Sequence, residues 1–324
     1  MYLRKEKSTD QKLKRPLFFL LICGTLAVLL LAGCRSTRDD RIPARIPSTL
    51  LILDDLDAQE RIMRIFAKAH PAKINDVQFI DGDWSMLVNG ERFFFANGRF
   101  LPEDLRGQWQ EFAPYDFYDY PWVGTDRERR AAFNNPVRSV GSAFLFDSLY
   151  FSPTEEASRE QQENIVFLGV GLLVNRHIAP LLDRVQASII AIAETDAEVR
   201  EWMSDLRGYG WYWRNIAGTN RRSLHSYGIA IDLLPTDLQG RQSYWQWDAR
   251  RNRRINFDNY YRPPQAVVRA FEFYGFLWGG NWSLIDTMHF EYRPEILLLN
   301  KFVIEHLNQK SIARQYPQKP ILAD

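Results

Sequence analysis

Ser223-Leu-His-Ser-Tyr-Gly-Ile-Ala-Ile-Asp-Leu-Leu234 sets a histidine and a glycine before a short apolar run that carries one carboxylate. Residues Ile229 to Leu234 read as a strand, on which alternation places Ala230, Asp232 and Leu234 on one face. A lone carboxylate on a buried strand is costly unless paired or metal-bound, so Asp232 needs a cation. Ala230 is small and leaves space on the same face. Gly228 permits the turn that brings His225 back over the strand end. Farther along, Pro263 and Pro264 open a helix lined by Val267, Val268 and Phe271, and Gly275 closes it. Phe276 to Trp282 reads as a glycine-bearing aromatic loop. Met288 to Tyr292 then reads as a strand, with His289 and Glu291 on one face.

The chain has five histidines, and two of them, His225 and His289, fall in these segments. With Asp232 they form a three-ligand set suited to Zn²⁺, with a fourth position open for water. Asp286, three residues before His289, is a second carboxylate available to act on that water. Glu291 is placed to fix a ligand or an arginine from the outer layer. His177 lies on an apolar stripe and reads as a core or surface histidine rather than a ligand.

Six basic residues precede an apolar run from Pro16 to Gly33, which ends in Leu31-Ala32-Gly33-Cys34. This has the form of a secretory signal, and its end resembles a bacterial lipobox in which Cys34 becomes the lipidated first residue. The expected product is an exported lipoprotein on an envelope membrane, periplasmic or surface-facing. Residues 35–56 read as a prolyl tether. Both cysteines lie at or before Cys34, so the body has no pair to bridge and depends on its core. A composition of 46% hydrophobic and 14% aromatic residues is enough for one. Beyond the leader the chain carries 35 basic and 38 acidic residues, which gives no sign of nucleic-acid binding.

Asp57 to His70 reads as a short helix. Val77 to Phe100 reads as a small β-meander, punctuated by Asp81-Gly82, Asn89-Gly90 and Asn97-Gly98. The aromatic stretch Phe112 to Trp122 reads as packing under a long loop. Glu163 to Leu206 carries apolar residues at helical spacing and is expected to be helical, split at Pro180. Arg241, Arg250, Arg251, Arg253 and Arg254 make a basic loop of 239–257, read as a solvated charge run.

The pattern Ser-x-His-x-x-Gly-x-Ala-x-Asp, then Trp278-Gly-Gly-x-Trp282 and Asp286-x-x-His-Phe-Glu291, resembles the M15 family of zinc peptidases. That family includes D-alanyl-D-alanine carboxypeptidases and L-alanyl-D-glutamate endopeptidases, and the likeness spans about Tyr209 to Pro294. The resemblance implies an α+β fold: a small antiparallel sheet flanked by helices, of the hedgehog and DD-peptidase kind, here with the β-meander as an N-terminal extension. Together with the pattern along the rest of the chain, the expected division is an accessory region at 57–125, a peptidase domain at 126–310 and a tail at 311–324. The resemblance also implies His225, Asp232 and His289 as zinc ligands and Asp286 as general base. Trp213-Arg214-Asn-Ile-Ala-Gly resembles the segment whose arginine steadies the substrate carbonyl, with Arg221 and Arg222 as nearby rivals. Ser223, Tyr227, Trp278 and Trp282 are expected to line the substrate cleft, and peptidoglycan stem peptides are the implied substrate. A zinc-bearing wall-binding lipoprotein without turnover is the alternative.

Overall fold

The computed structural model describes residues 56–125, 128 and 143–302, save 116, 218 and 251–255. Cys34, the apolar run before it, the tether before residue 56, the 311–324 tail and Arg251, Arg253 and Arg254 lie outside the described residues. The chain is mixed α and antiparallel β, with small sheets and flanking helices.

Helix α1 (Leu56–Ala69) leads into a meander of β1 (Ile74–Ile80), β2 (Asp83–Val88), β3 (Glu91–Ala96) and β4 (Arg99–Pro102), paired in chain order. Each connection is one of the dipeptides read from the sequence. Asp81 and Gly82, Asn89 and Gly90, and Asn97 and Gly98 all adopt positive φ, the requirement of a two-residue turn that matches strand twist. Ile62, Met63 and Phe66 of α1 are fully buried, as are Met86 and Val88 of β2.

Helices α2 (Phe144–Tyr150) and α3 (Glu155–Glu160) follow. The segment expected to start a long helix is instead a hairpin, β5 (Gln162–Phe167) with β6 (Val170–Asn175). Leu168 and Gly169 turn it, at φ 49° and 83°. Val166, counted as part of the helical stripe, is 67% exposed. The helix begins only at α4 (Ala179–Ala193), with Pro180 in its first turn, where a missing N–H costs nothing. Asp196 caps the short α5 (Ala197–Met203) that follows, accepting from the Glu198 and Val199 amides.

The second sheet has the order β7 (Leu206–Tyr209), β8 (Ala230–Pro235), β10 (His289–Tyr292), β9 (Phe276–Trp278). The first three residues of the expected aromatic loop are therefore strand β9, paired with β10 through Phe290–Trp278 and Tyr292–Phe276. Helix α6 (Trp245–Arg250) interrupts the basic loop, and α7 (Gln265–Phe273) precedes β9. Residues 294–302 are helical. One apolar core contains Phe66 of α1, Phe93 and Phe95 of β3, Leu182 of α4, Ile231 of β8, Phe271 of α7 and Phe290 of β10.

Candidate metal centre

The pairing of β8 with β10 builds half of the site. His289 lies directly opposite Asp232, and Glu291 opposite Ala230, so the small side chain leaves room for the large one. His225 comes from the 3₁₀ turn Leu224–Tyr227, closed by Gly228 at φ 68°. The Gly228 carbonyl accepts from the Asn175 amide at 2.8 Å, which locks the turn to β6. A Cβ on Gly228 would lie 1.8 Å from Gln162 Oε1, so both space and conformation require glycine.

His225, Asp232 and His289 converge and are all buried. His225 Nε2 lies 3.3 Å from Asp232 Oδ1, His289 Nδ1 lies 3.0 Å from the same oxygen, and the two ring nitrogens are 3.2 Å apart. The far nitrogen of each ring is occupied. His225 Nδ1 faces the Gly210 carbonyl at 2.7 Å, and His289 Nε2 faces Glu291 Oε2 at 3.2 Å. A carbonyl and a carboxylate only accept, so each of those nitrogens carries the proton. Two imidazole lone pairs and a carboxylate oxygen are left pointing at one another, an arrangement that calls for a cation. A tetrahedral centre with bonds of about 2.0–2.1 Å holds its ligands roughly 3.3 Å apart. The three separations match that spacing, and the residues fit a zinc ion.

The electrostatics agree. Burial alone would raise the Asp232 carboxyl, but the two imidazoles hold it well below the usual carboxylate range. Burial alone would lower His289, but its bonds to Asp232 and Glu291 push it up to about 10.

Asp286 sits just before β10. Its amide donates to the Gly279 carbonyl at 3.1 Å, and the next residue, Thr287, donates to Ser243. Gly279 is obligatory here, since a Cβ would come within 2.4 Å of the Asp286 carbonyl oxygen. Asp286 Oδ1 is buried and has no hydrogen-bond partner. Burial, and then the neighbouring Asp232 charge, push the carboxyl up to about 8, while His289, Arg214 and the Met288 amide pull it down. Arg214 is exposed and close enough for Asp286 to feel its charge. Its backbone is pinned to Ser226, whose Oγ accepts from the Arg214 amide at 2.8 Å. The rival Arg222 is engaged elsewhere, bonded to Asp147 and stacked over Trp213.

The expected cleft walls divide. Trp282 is partly exposed, and its ring centre lies 5.2 Å from that of His289. Trp278 is core, 3% exposed, with Nε1 donating to the Thr287 carbonyl. Tyr227 is core as well, 1% exposed with its hydroxyl on Asp147 at 3.1 Å. The turn that presents His225 buries the next two side chains behind it. Ser223 is buried and joins its amide to the Arg214 carbonyl. His177 packs between Tyr150 and Tyr292, and burial, with Lys73 and His70 beside it, lowers it to about 4.

Sequence reasoning missed the layer behind His289. The Tyr118 hydroxyl donates to Glu291 Oε1 at 2.8 Å, and the Tyr115 hydroxyl to Glu295 Oε1 at 3.0 Å. Tyr120 donates to Glu272 at 2.6 Å and accepts from the Trp278 amide at 2.8 Å. The run of tyrosines was visible, but their partners lie more than 150 residues away in sequence.

Residues 217–292 match a family model described as D-alanyl-D-alanine carboxypeptidase, within the M15 peptidases. This match supports a peptidase. Residues 62–117 match a family described as a domain of unknown function. No curated protein and no solved structure matches the chain.

Proposed function

We propose that this protein hydrolyses a peptide bond in peptidoglycan stem peptides, at a zinc ion held by His225, Asp232 and His289. The observation that carries the reading is the convergence of three acceptor atoms at tetrahedral spacing, with both outer ring nitrogens already donating. The match of residues 217–292 to a carboxypeptidase family supplies the substrate class.

Zinc at this position would supply Lewis acidity, polarising a peptide carbonyl and lowering the pKa of a water toward 7. Asp286 would be ionised more readily beside a bound cation, which would offset its burial next to Asp232. The Asp286 carboxylate then takes the proton of the attacking water and hands it to the leaving amine. Arg214, exposed, held through its backbone by Ser226 and near enough to act on Asp286, would stabilise the developing oxyanion. Trp282 covers His289 and limits water on that side. A lipid anchor at Cys34 would hold the enzyme in the envelope, where its substrate lies.

The experiment is digestion of defined stem peptides by the detergent-purified full chain, read by mass spectrometry. Release of a terminal D-alanine assigns a carboxypeptidase, and cleavage after L-alanine an endopeptidase. Intact peptides in every case reject the proposal.

A further inference from the structure

Glu291 is held from three sides. One oxygen, Oε2, faces His289 Nε2 at 3.2 Å. The other, Oε1, accepts from the Tyr118 hydroxyl at 2.8 Å and lies 3.7 Å from Arg293 Nη1. Arg293 is 4% exposed and ties this carboxylate to a second one. Its Nε donates to Glu295 Oε1, and its Nη2 donates to the Tyr115 hydroxyl at 2.9 Å. Tyr115 in turn donates to Glu295 Oε1, whose other oxygen faces His70 Nε2 at 3.2 Å. His70, directly after α1, is 3% exposed, and Glu295 is 1% exposed.

Two carboxylates and one guanidinium are thus buried in one contiguous cluster, which reaches the candidate ligand His289 through Glu291. Burial of that much charge is tolerated only with close pairing and further hydrogen bonds. Those further bonds come from His70, Tyr115 and Tyr118. All three belong to, or directly follow, the region that matches a domain of unknown function. None lies within the carboxypeptidase match at 217–292. Tyr118 also stacks edge-on with Trp282, the aromatic beside His289, at 6.2 Å.

We propose that residues 62–118 serve as the positioning layer of the metal centre, with Tyr118 fixing Glu291 and Glu291 fixing His289. Tyr118 is a positioning residue: its hydroxyl bonds Glu291, and it acts on His289 through that carboxylate. A carboxylate behind a ligating histidine sets the tautomer and the ring orientation and raises ligand basicity. The Tyr118 hydroxyl and Arg293 hold the Oε1 side of Glu291 while Oε2 meets His289. The inference rests on the zinc reading of the site, and its test separates the two.

Zinc affinity is measured on the full chain by competition with a chromogenic chelator, for wild type, Tyr118→Phe, Glu291→Gln and the double variant. Thermal unfolding of each metal-free protein is recorded beside it. Tyr118→Phe removes one oxygen and is expected to weaken zinc binding about tenfold, the lower end for loss of an outer partner. The double variant is expected to bind no more weakly than Glu291→Gln, since Tyr118 acts only through that carboxylate. Co²⁺ spectra of the variants are expected to shift, reporting an altered ligand field rather than lost stability. Equal zinc affinity in wild type and Tyr118→Phe overturns the inference while leaving the zinc centre standing. Losses that simply add in the double variant, or that track the fall in metal-free stability, overturn it as well. A wild-type protein that takes up no zinc overturns the zinc reading and this inference with it.

Discussion

Asp286 lies beside the charge of Asp232, with one carboxylate oxygen buried and without a partner. Its carboxyl at about 8 stands above the ordinary value of 3.8, so the neutral acid favours the folded chain. That contribution is complete below about pH 4 and is lost as pH rises through 8. In the metal-free protein, Asp286→Asn is therefore expected to stabilise more at pH 8 than at pH 5, by on the order of a few kcal/mol. Denaturant unfolding at the two pH values checks this. The same substitution is expected to lower hydrolysis by at least ~10²-fold, because the proton acceptor is gone. His225→Ala removes a candidate ligand rather than an outer partner and is expected to weaken zinc binding beyond the ~10–100-fold of such partners. Dialysis followed by metal analysis reads that loss. The grouping of His225, Asp232 and His289 was legible in the sequence because residue type and spacing carried it. The hydroxyls of Tyr115, Tyr118 and Tyr120 were not, because nothing local tells a packed tyrosine from one that donates to a carboxylate far along the chain.

At the level of elements, the meander and the β8–β10 pair follow from short-range rules. Asn-Gly and Asp-Gly can adopt the positive φ of the tight turns, and the alternation around Asp232 and His289 fixes the register. The β5–β6 hairpin escaped those rules. Val166, Val170 and Leu173 fall at helical spacing, yet Leu168-Gly169 folds the segment back and leaves Val166 exposed. That hairpin matters to the site, because Asn175 holds the Gly228 carbonyl and so the turn that carries His225. Gly228→Ala is expected to destabilise by ~2 kcal/mol or more, from a left-handed backbone and a clash with Gln162 and Asn175. It is also expected to weaken zinc binding, and thermal unfolding with and without zinc separates the two effects.

On the scale of the whole molecule, α1, the meander and the C-terminal sheet share one apolar core. His70 and Tyr115 add buried polar links to Glu295. Burial alone would raise Glu295, but Arg293 and then His70 hold it down at about 2. Thermal unfolding of the full chain is expected as one transition, with the meander and the C-terminal sheet losing structure together. On the proposed reading zinc would bind only the folded site, so a thousandfold excess over Kd is expected to stabilise by about 4 kcal/mol. Calorimetry with chelator and with zinc measures both. The most direct measurement strips the full chain with chelator and restores zinc stepwise, while peptide release from purified peptidoglycan is followed. The account predicts that release vanishes on stripping, returns in full at one zinc per chain, and stays at least ~10²-fold lower in Asp286→Asn at any zinc level. Release that persists undiminished in the stripped protein would contradict it.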